Sequence, residues 1–186
     1  MKKTFLTLFA LSLSASWLPA KEINFPDSSN WMISFDVKAF HDSRMGKFIM
    51  GKINEDPNVN QKMQGLKNAF GVDLMEIREM YAFGTGEKDQ GTAFLHGGIN
   101  SKQLEGFASL NDKVEINEYE NTKTYKFQKG ALGILSKDSV VVASNKKLLQ
   151  ESLKSKNGDK KNSLHTFVNS IEKKQDPIIS LGANLL

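Results

Sequence analysis

Residues 78–99 read REMYAFGTGEKDQGTAFLHGGI. Two runs of strand formers, Arg78 to Phe83 and Thr92 to Ile99, flank Gly84-Thr85-Gly86-Glu87-Lys88-Asp89-Gln90-Gly91. That pattern predicts a β-hairpin with a polar loop. The glycines supply the positive φ that such a loop needs. The pattern recurs twice towards the C-terminus. Val114 and Ile116 alternate with charged residues, and after a turn near Glu120-Asn121 the alternation resumes at Tyr125 and Phe127. Leu132–Leu135 and Val140–Ala143 are then joined by Ser136-Lys137-Asp138-Ser139. Three successive hairpins predict a mainly antiparallel sheet.

The flanking sequence is helical apart from one strand at each end. Trp31 to Val37 is rich in strand formers and predicts a first strand. Met45, Phe48, Ile49 and Ile53 then fall at helical spacing. Asp56-Pro57 breaks the chain and starts a second helix, which carries Val59, Met63, Leu66 and Phe70 and has Gly71 as its C-terminal cap. Asn100, with Gln103 three residues on, predicts a capping box before a buried stripe of Leu104, Phe107 and Leu110. Ser144 is the expected cap of a helix bearing Leu148, Leu149 and Leu153, which Gly158 ends. Asn162 or Ser163 starts another, with Leu164, Phe167, Val168 and Ile171 on one face. Asp176-Pro177 stops it before a last strand, Ile178 to Leu181. The expected fold is α+β: one mainly antiparallel sheet with helices packed on a face. The approach to the first strand, Asn30 to Phe35, is similar to Asp176 to Leu181. Strands share a narrow composition, which by itself accounts for such a likeness; the alternative reading is one module of a two-module architecture, with an uncovered sheet edge.

Residues 1–20 carry Lys2 and Lys3, an apolar run from Phe5 to Leu18, and Pro19-Ala20. A basic start, a short apolar run and a small residue at the exit make a secretory signal peptide. The expected division is therefore a leader over 1–20 and a single α+β domain over 21–186. No later segment is apolar and long enough to span a bilayer, so the expected mature chain is exported to the periplasm or beyond. The chain has no cysteine, which removes disulfides, thiolate metal sites and cysteine nucleophiles. Without the leader it carries 23 basic against 21 acidic side chains. Nothing concentrates those charges as nucleic-acid binding requires, so no nucleic-acid partner is expected. Lys154, Lys156, Lys160 and Lys161 lie in a polar stretch that reads as a solvated loop.

The order of these pieces resembles uncharacterised exported proteins of planctomycete and verrucomicrobial bacteria. The residues that carry the resemblance are the leader, Ile33–Val37, Phe70–Leu74 running into Met80–Gly84, Leu95–Asn100 and Asp138–Ala143. It implies export and an α+β module, and it brings no activity or catalytic residue with it.

Candidate chemistry is sparse. His41, His96 and His165 show neither the spacing nor the context of a zinc site. His41-Asp42 are neighbours that point in different directions on a helix. His96-Gly97-Gly98 is similar to an esterase oxyanion loop, yet the nucleophile elbow that must accompany it is missing. The glycines there are read as bending a strand end into the next helix. Gly84-Thr85-Gly86 has no following helix and is no dinucleotide fingerprint. Glu76 with Glu79, or Glu115 with Glu118, would have to face each other across a cleft to hydrolyse a glycoside. The aromatic residues, among them Phe35, Phe40, Phe48, Phe70, Phe83, Phe94, Phe107, Tyr125 and Phe127, are read as core. Trp31 and Tyr119 are the two whose burial the pattern leaves open.

No catalytic, cofactor or metal residue is therefore assigned. The expected function is a non-enzymatic binding or interaction module of the cell envelope, meeting a protein or envelope component through its sheet or a sheet edge. A homodimer through the C-terminal strand is one such contact. The alternatives are a small envelope hydrolase using His41 or His96, and a shortened product of a longer two-module protein. Cleavage after Ala20 predicts that the chain recovered from its host's exported fraction begins at Lys21; its intact mass by mass spectrometry checks this.

Overall fold

The structure is a computed structural model that describes residue 26, residues 28–154 and residues 178–183. Several expected features lie outside these: the leader, the helix after Asn162 or Ser163 with its stop at Asp176-Pro177, Gly158, His165, and Lys156, Lys160 and Lys161.

The described elements are β1 (Trp31–Asp36), α1 (Val37–Asp42), α2 (Arg44–Glu55), α3 (Pro57–Phe70), β2 (Val72–Gly84), β3 (Gly91–Ile99), α4 (Ser101–Ser109), β4 (Glu115–Tyr119), β5 (Thr122–Phe127), β6 (Gly130–Ser136), β7 (Ser139–Ala143), α5 (Lys146–Lys154) and β8 (Ile179–Ala183). The strands form one sheet in the order β4-β5-β6-β7-β3-β2-β1-β8. Every neighbouring pair is antiparallel, and the fold is α+β as the three hairpins require. The two segments that resemble each other in sequence become neighbours: β8 pairs with β1 and ends the sheet.

The sheet register places one apolar residue from every strand in a single line. It runs Leu181, Ile33, Ala82, Ala93, Val142, Leu132, Tyr125, Ile116. Beside it on the same face runs a second line, Ile179, Phe35, Met80, Leu95, Val140, Ile134. A slip of one residue in any strand would send this apolar set to the opposite face.

On this face α4 inserts Leu104 against Ile99 and Val140, and Phe70 of α3 joins them. Phe70 meets Phe107 of α4 edge-on, with ring centroids 4.4 Å apart. Phe40 of α1 meets Phe35 at 5.3 Å. The grouping of helices on one face thus holds for α1, α3 and α4. Helix α5 adds cover to the other face, where Leu148, Leu149 and Leu153 pack on Ala131, Val141 and Ala143. The reason lies in β7, whose Val140-Val141 is apolar at consecutive positions and so needs burial on both sides.

The caps explain where the helices begin and end. Asp56 accepts from the backbone N–H groups of Asn58 and Val59, with Pro57 in the first turn. Gly71 ends α3 at φ 69°, a left-handed position where a Cβ would strain the backbone. Asn100 caps α4 by accepting from Gln103 N at 3.2 Å. The capping box is not reciprocal, however. The Gln103 amide instead donates to the carbonyls of Lys67 and Asn68, satisfying the exposed end of α3. The cap of α5 is Asn145 rather than Ser144, because Ser144 is engaged with the backbone of Gly91.

Two residues expected in the core lie outside it. Leu110 is 88% exposed, because α4 ends at Ser109 and its last apolar position turns outward. Phe48 is 67% exposed, because α2 packs on α1 and α3 through its opposite side. The contrast makes a prediction. Leu149→Ala should cost about 2–5 kcal/mol in urea unfolding, since it empties a closed site. Leu110→Ala should stay within about 0.5 kcal/mol of the parent.

Candidate functional site

One polar cluster of the described residues brings titratable side chains from separate elements into contact. It stands where β2, β3 and the β6–β7 turn meet. The pairing of β2 with β3 shifts between Ile77 and Glu79, so Arg78 is an extra residue in a bulge. Gly97 and Gly98 make that bulge possible. Both have positive φ, and a Cβ on Gly98 would lie 2.3 Å from the Asp73 carbonyl oxygen. Their need for glycine is thus as the sequence suggests, but their task is to admit the irregular backbone of β2.

Arg78 donates from Nη2 to Asp138 Oδ2 at 2.7 Å and lies 3.1 Å from His96 Nε2. His96 Nδ1 lies 2.7 Å from the hydroxyl of Ser139, its neighbour across the β3–β7 pair. Ser136 and Ser139 both donate to Asp138 Oδ1, at 3.0 and 3.5 Å. The backbone N–H of Gly97 closes the group on the Asp138 carbonyl oxygen.

A serine, a histidine and an aspartate in contact invite comparison with a hydrolytic triad, but here Asp138 is bound by Arg78, which also faces the far nitrogen of the ring. A guanidinium only donates, so the His96 Nε2 facing Arg78 is an acceptor. A neutral ring that accepts from Arg78 at Nε2 would carry its proton on Nδ1 and donate it to Ser139. A catalytic base must instead receive the serine's proton. Ser139 is buried as well. The cluster therefore acts as a clamp that ties three parts of the sheet together.

The remaining candidates do not converge. His41 touches the Phe40 ring, while Asp42 is bound to Lys38 at 3.3 Å, so the two neighbours form no catalytic pair. Glu115 and Glu118 are three apart on β4 and so point to opposite faces; Glu115 is paired with Lys126 at 2.8 Å. Glu76 and Glu79 are both exposed on β2. Gly84 and Gly91 face the Trp31 ring closely, and a Cβ on Gly84 would lie 2.9 Å from it. Tyr119 packs beside α5, and the Lys154 ammonium sits 5.9 Å above its ring. A cleft of about 280 Å³ beside the β2–β3 loop is lined by Thr85, Glu87, Gln90, Asn145 and Lys147. Among the described residues no three His, Asp or Glu side chains group as metal ligands. No helix among them is long and apolar enough to cross a membrane.

Sequence reasoning singled out His96 but missed Arg78, Asp138 and Ser139. Their association depends on strand pairing between positions up to 60 residues apart. The one local signal was Ser136-Lys137-Asp138-Ser139, a turn whose short polar side chains fold back on themselves.

Asp138 is held below the usual carboxylate range: burial opposes ionisation, but the Ser136 hydrogen bond and the charges of His96 and Arg78 outweigh it. A depressed carboxylate adds stability above its unfolded value and loses it as pH falls through its folded one. The stability gap between the parent and Asp138→Asn should therefore shrink as pH falls below about 4. Urea unfolding across pH 2–7 checks this.

No family model matches the chain, and no curated protein matches it. Solved structures do match. Crystal form IV of TP0453 is 11% identical, with a TM-score of 0.51, and the match covers 85% of this chain and 63% of that one. Crystal form III is 12% identical, with a TM-score of 0.50, covering 87% and 61%. The match thus spans less than two thirds of either structure's length. At that identity what is shared is the fold.

Proposed function

We propose that this chain is an exported, non-enzymatic interaction module that binds by adding a partner strand to the outer edge of β8, either from another envelope protein or from a second copy of the chain. The observation that carries the reading is the state of that edge. Among the described residues no strand pairs with the far side of β8, and its Ile179 and Leu181 are 60% and 65% exposed. An edge strand with free backbone groups and outward apolar side chains is a template for another strand. Natural edges that avoid pairing carry a charge or a proline, and Ile179–Ala183 has neither. The opposite edge shows the contrast: β4 reads Glu115-Ile116-Asn117-Glu118-Tyr119, with two acidic residues in five.

The expected outcome in native mass spectrometry of the chain from its host's exported fraction is added mass, a second copy or a bound protein, which Ile179→Lys removes. The substitution is at an exposed position, so thermal unfolding should be nearly unchanged. A bare parent monomer, or a folded Ile179→Lys chain that keeps the added mass, overturns the reading.

A further inference from the structure

Helix α2 rests on the fold by a narrow contact. Its buried residue is Gly46, which lies so close to the Phe40 carbonyl that a Cβ would sit 1.8 Å from the oxygen. Met50 and Ile53 are half-buried on that side. On the outer side Met45, Phe48 and Ile49, at i, i+3 and i+4, form a stripe open to water at 68%, 67% and 37% exposure. The next helix is as loosely held: α3 buries no residue and leaves Leu66 exposed.

The charge around the stripe is one-sided. Residues 44–70 contain Arg44, Lys47, Lys52, Lys62 and Lys67 against Glu55 and Asp56. Glu55 is bound to Lys52 at 2.7 Å, and Asp56 is occupied as the cap of α3. Lys67 is bound to Asp73. Arg44, Lys47 and Lys62 therefore face no carboxylate among the described residues. An apolar stripe flanked by Arg44, on a pair of helices whose cations outnumber their acids, matches the boundary between acyl chains and anionic head groups. Long basic side chains can reach outward from a buried stripe to phosphates.

We propose that α2 docks on an anionic phospholipid surface, with Met45, Phe48 and Ile49 sunk below the head groups, Arg44 beside the phosphates, and the net positive charge of residues 44–70 drawing the helix to the surface. At 12 residues the helix is too short to span the bilayer and lies along it. This contact needs nothing from β8, so it stands or falls separately from strand addition.

The test is flotation of the whole chain with two kinds of vesicle: phosphatidylcholine containing about 30% phosphatidylglycerol, and phosphatidylcholine alone. Binding is expected to the anionic vesicles, weakening with added salt. Phe48→Ser should lower that affinity about tenfold, and Arg44→Glu with Lys47→Glu should do the same while removing the salt dependence. These positions are exposed, so unchanged thermal unfolding confirms that each variant is folded. Ile179→Lys should float like the parent. The proposal is overturned if the parent leaves anionic vesicles unbound or if Phe48→Ser binds undiminished. It is also overturned if Phe48→Ser dissolves a dimer of the parent in vesicle-free sedimentation, since a second copy would then be the occupant.

Discussion

The structure depends on the burial of β7 on both faces. Val140 and Val141 are adjacent in sequence, so their side chains leave the strand in opposite directions, and both are fully enclosed. One requires the Leu104 side of α4 and the other the leucines of α5. A sheet with a single covered face would leave one of them in water, at a cost of about 1.5–3 kcal/mol for a fully exposed side chain. From this middle strand the pairing extends through β6 and β5 to β4 on one side, and through β3, β2 and β1 to β8 on the other. Burial declines towards the margins, to Ile116 at one edge and to Ile179 and Leu181 at the other.

That gradient bears on function. The interior of the sheet is committed to holding the fold, including the group of Arg78, His96, Asp138 and Ser139. Its side chains are bound to one another across β2, β3 and the β6–β7 turn. What the fold leaves free is apolar and peripheral: the β8 edge and the outer side of α2. These two patches are what supports the proposal of an interaction module.

Much of the fold was legible from the sequence because its signals are short-range. Glu120-Asn121 adopts positive φ at both residues, as a two-residue hairpin turn demands. Pro57 and Gly71 bracket α3 by their own backbone preferences. The errors have a common source in competition between neighbours. Gln103 had two possible partners, and the open end of α3 won it from the capping box. Phe48 and Leu110 sit at helical positions that the spacing treats as equivalent to buried ones, yet a helix has one face per neighbour and theirs met none.

The sequence by itself determined the class, the three hairpins, the limits of α3 and the absence of thiol chemistry, because each rests on residue types, backbone preferences or periodicity within a few residues. Only the tertiary structure decided the order of strands, the bulge that lifts Arg78 towards Asp138, the pairing of β8 with β1, and which apolar faces stay open. Those depend on contacts between distant segments that share the same local signal. A pattern of apolar residues states that a face wants burial; which faces obtain it is settled when the elements compete for a limited interior.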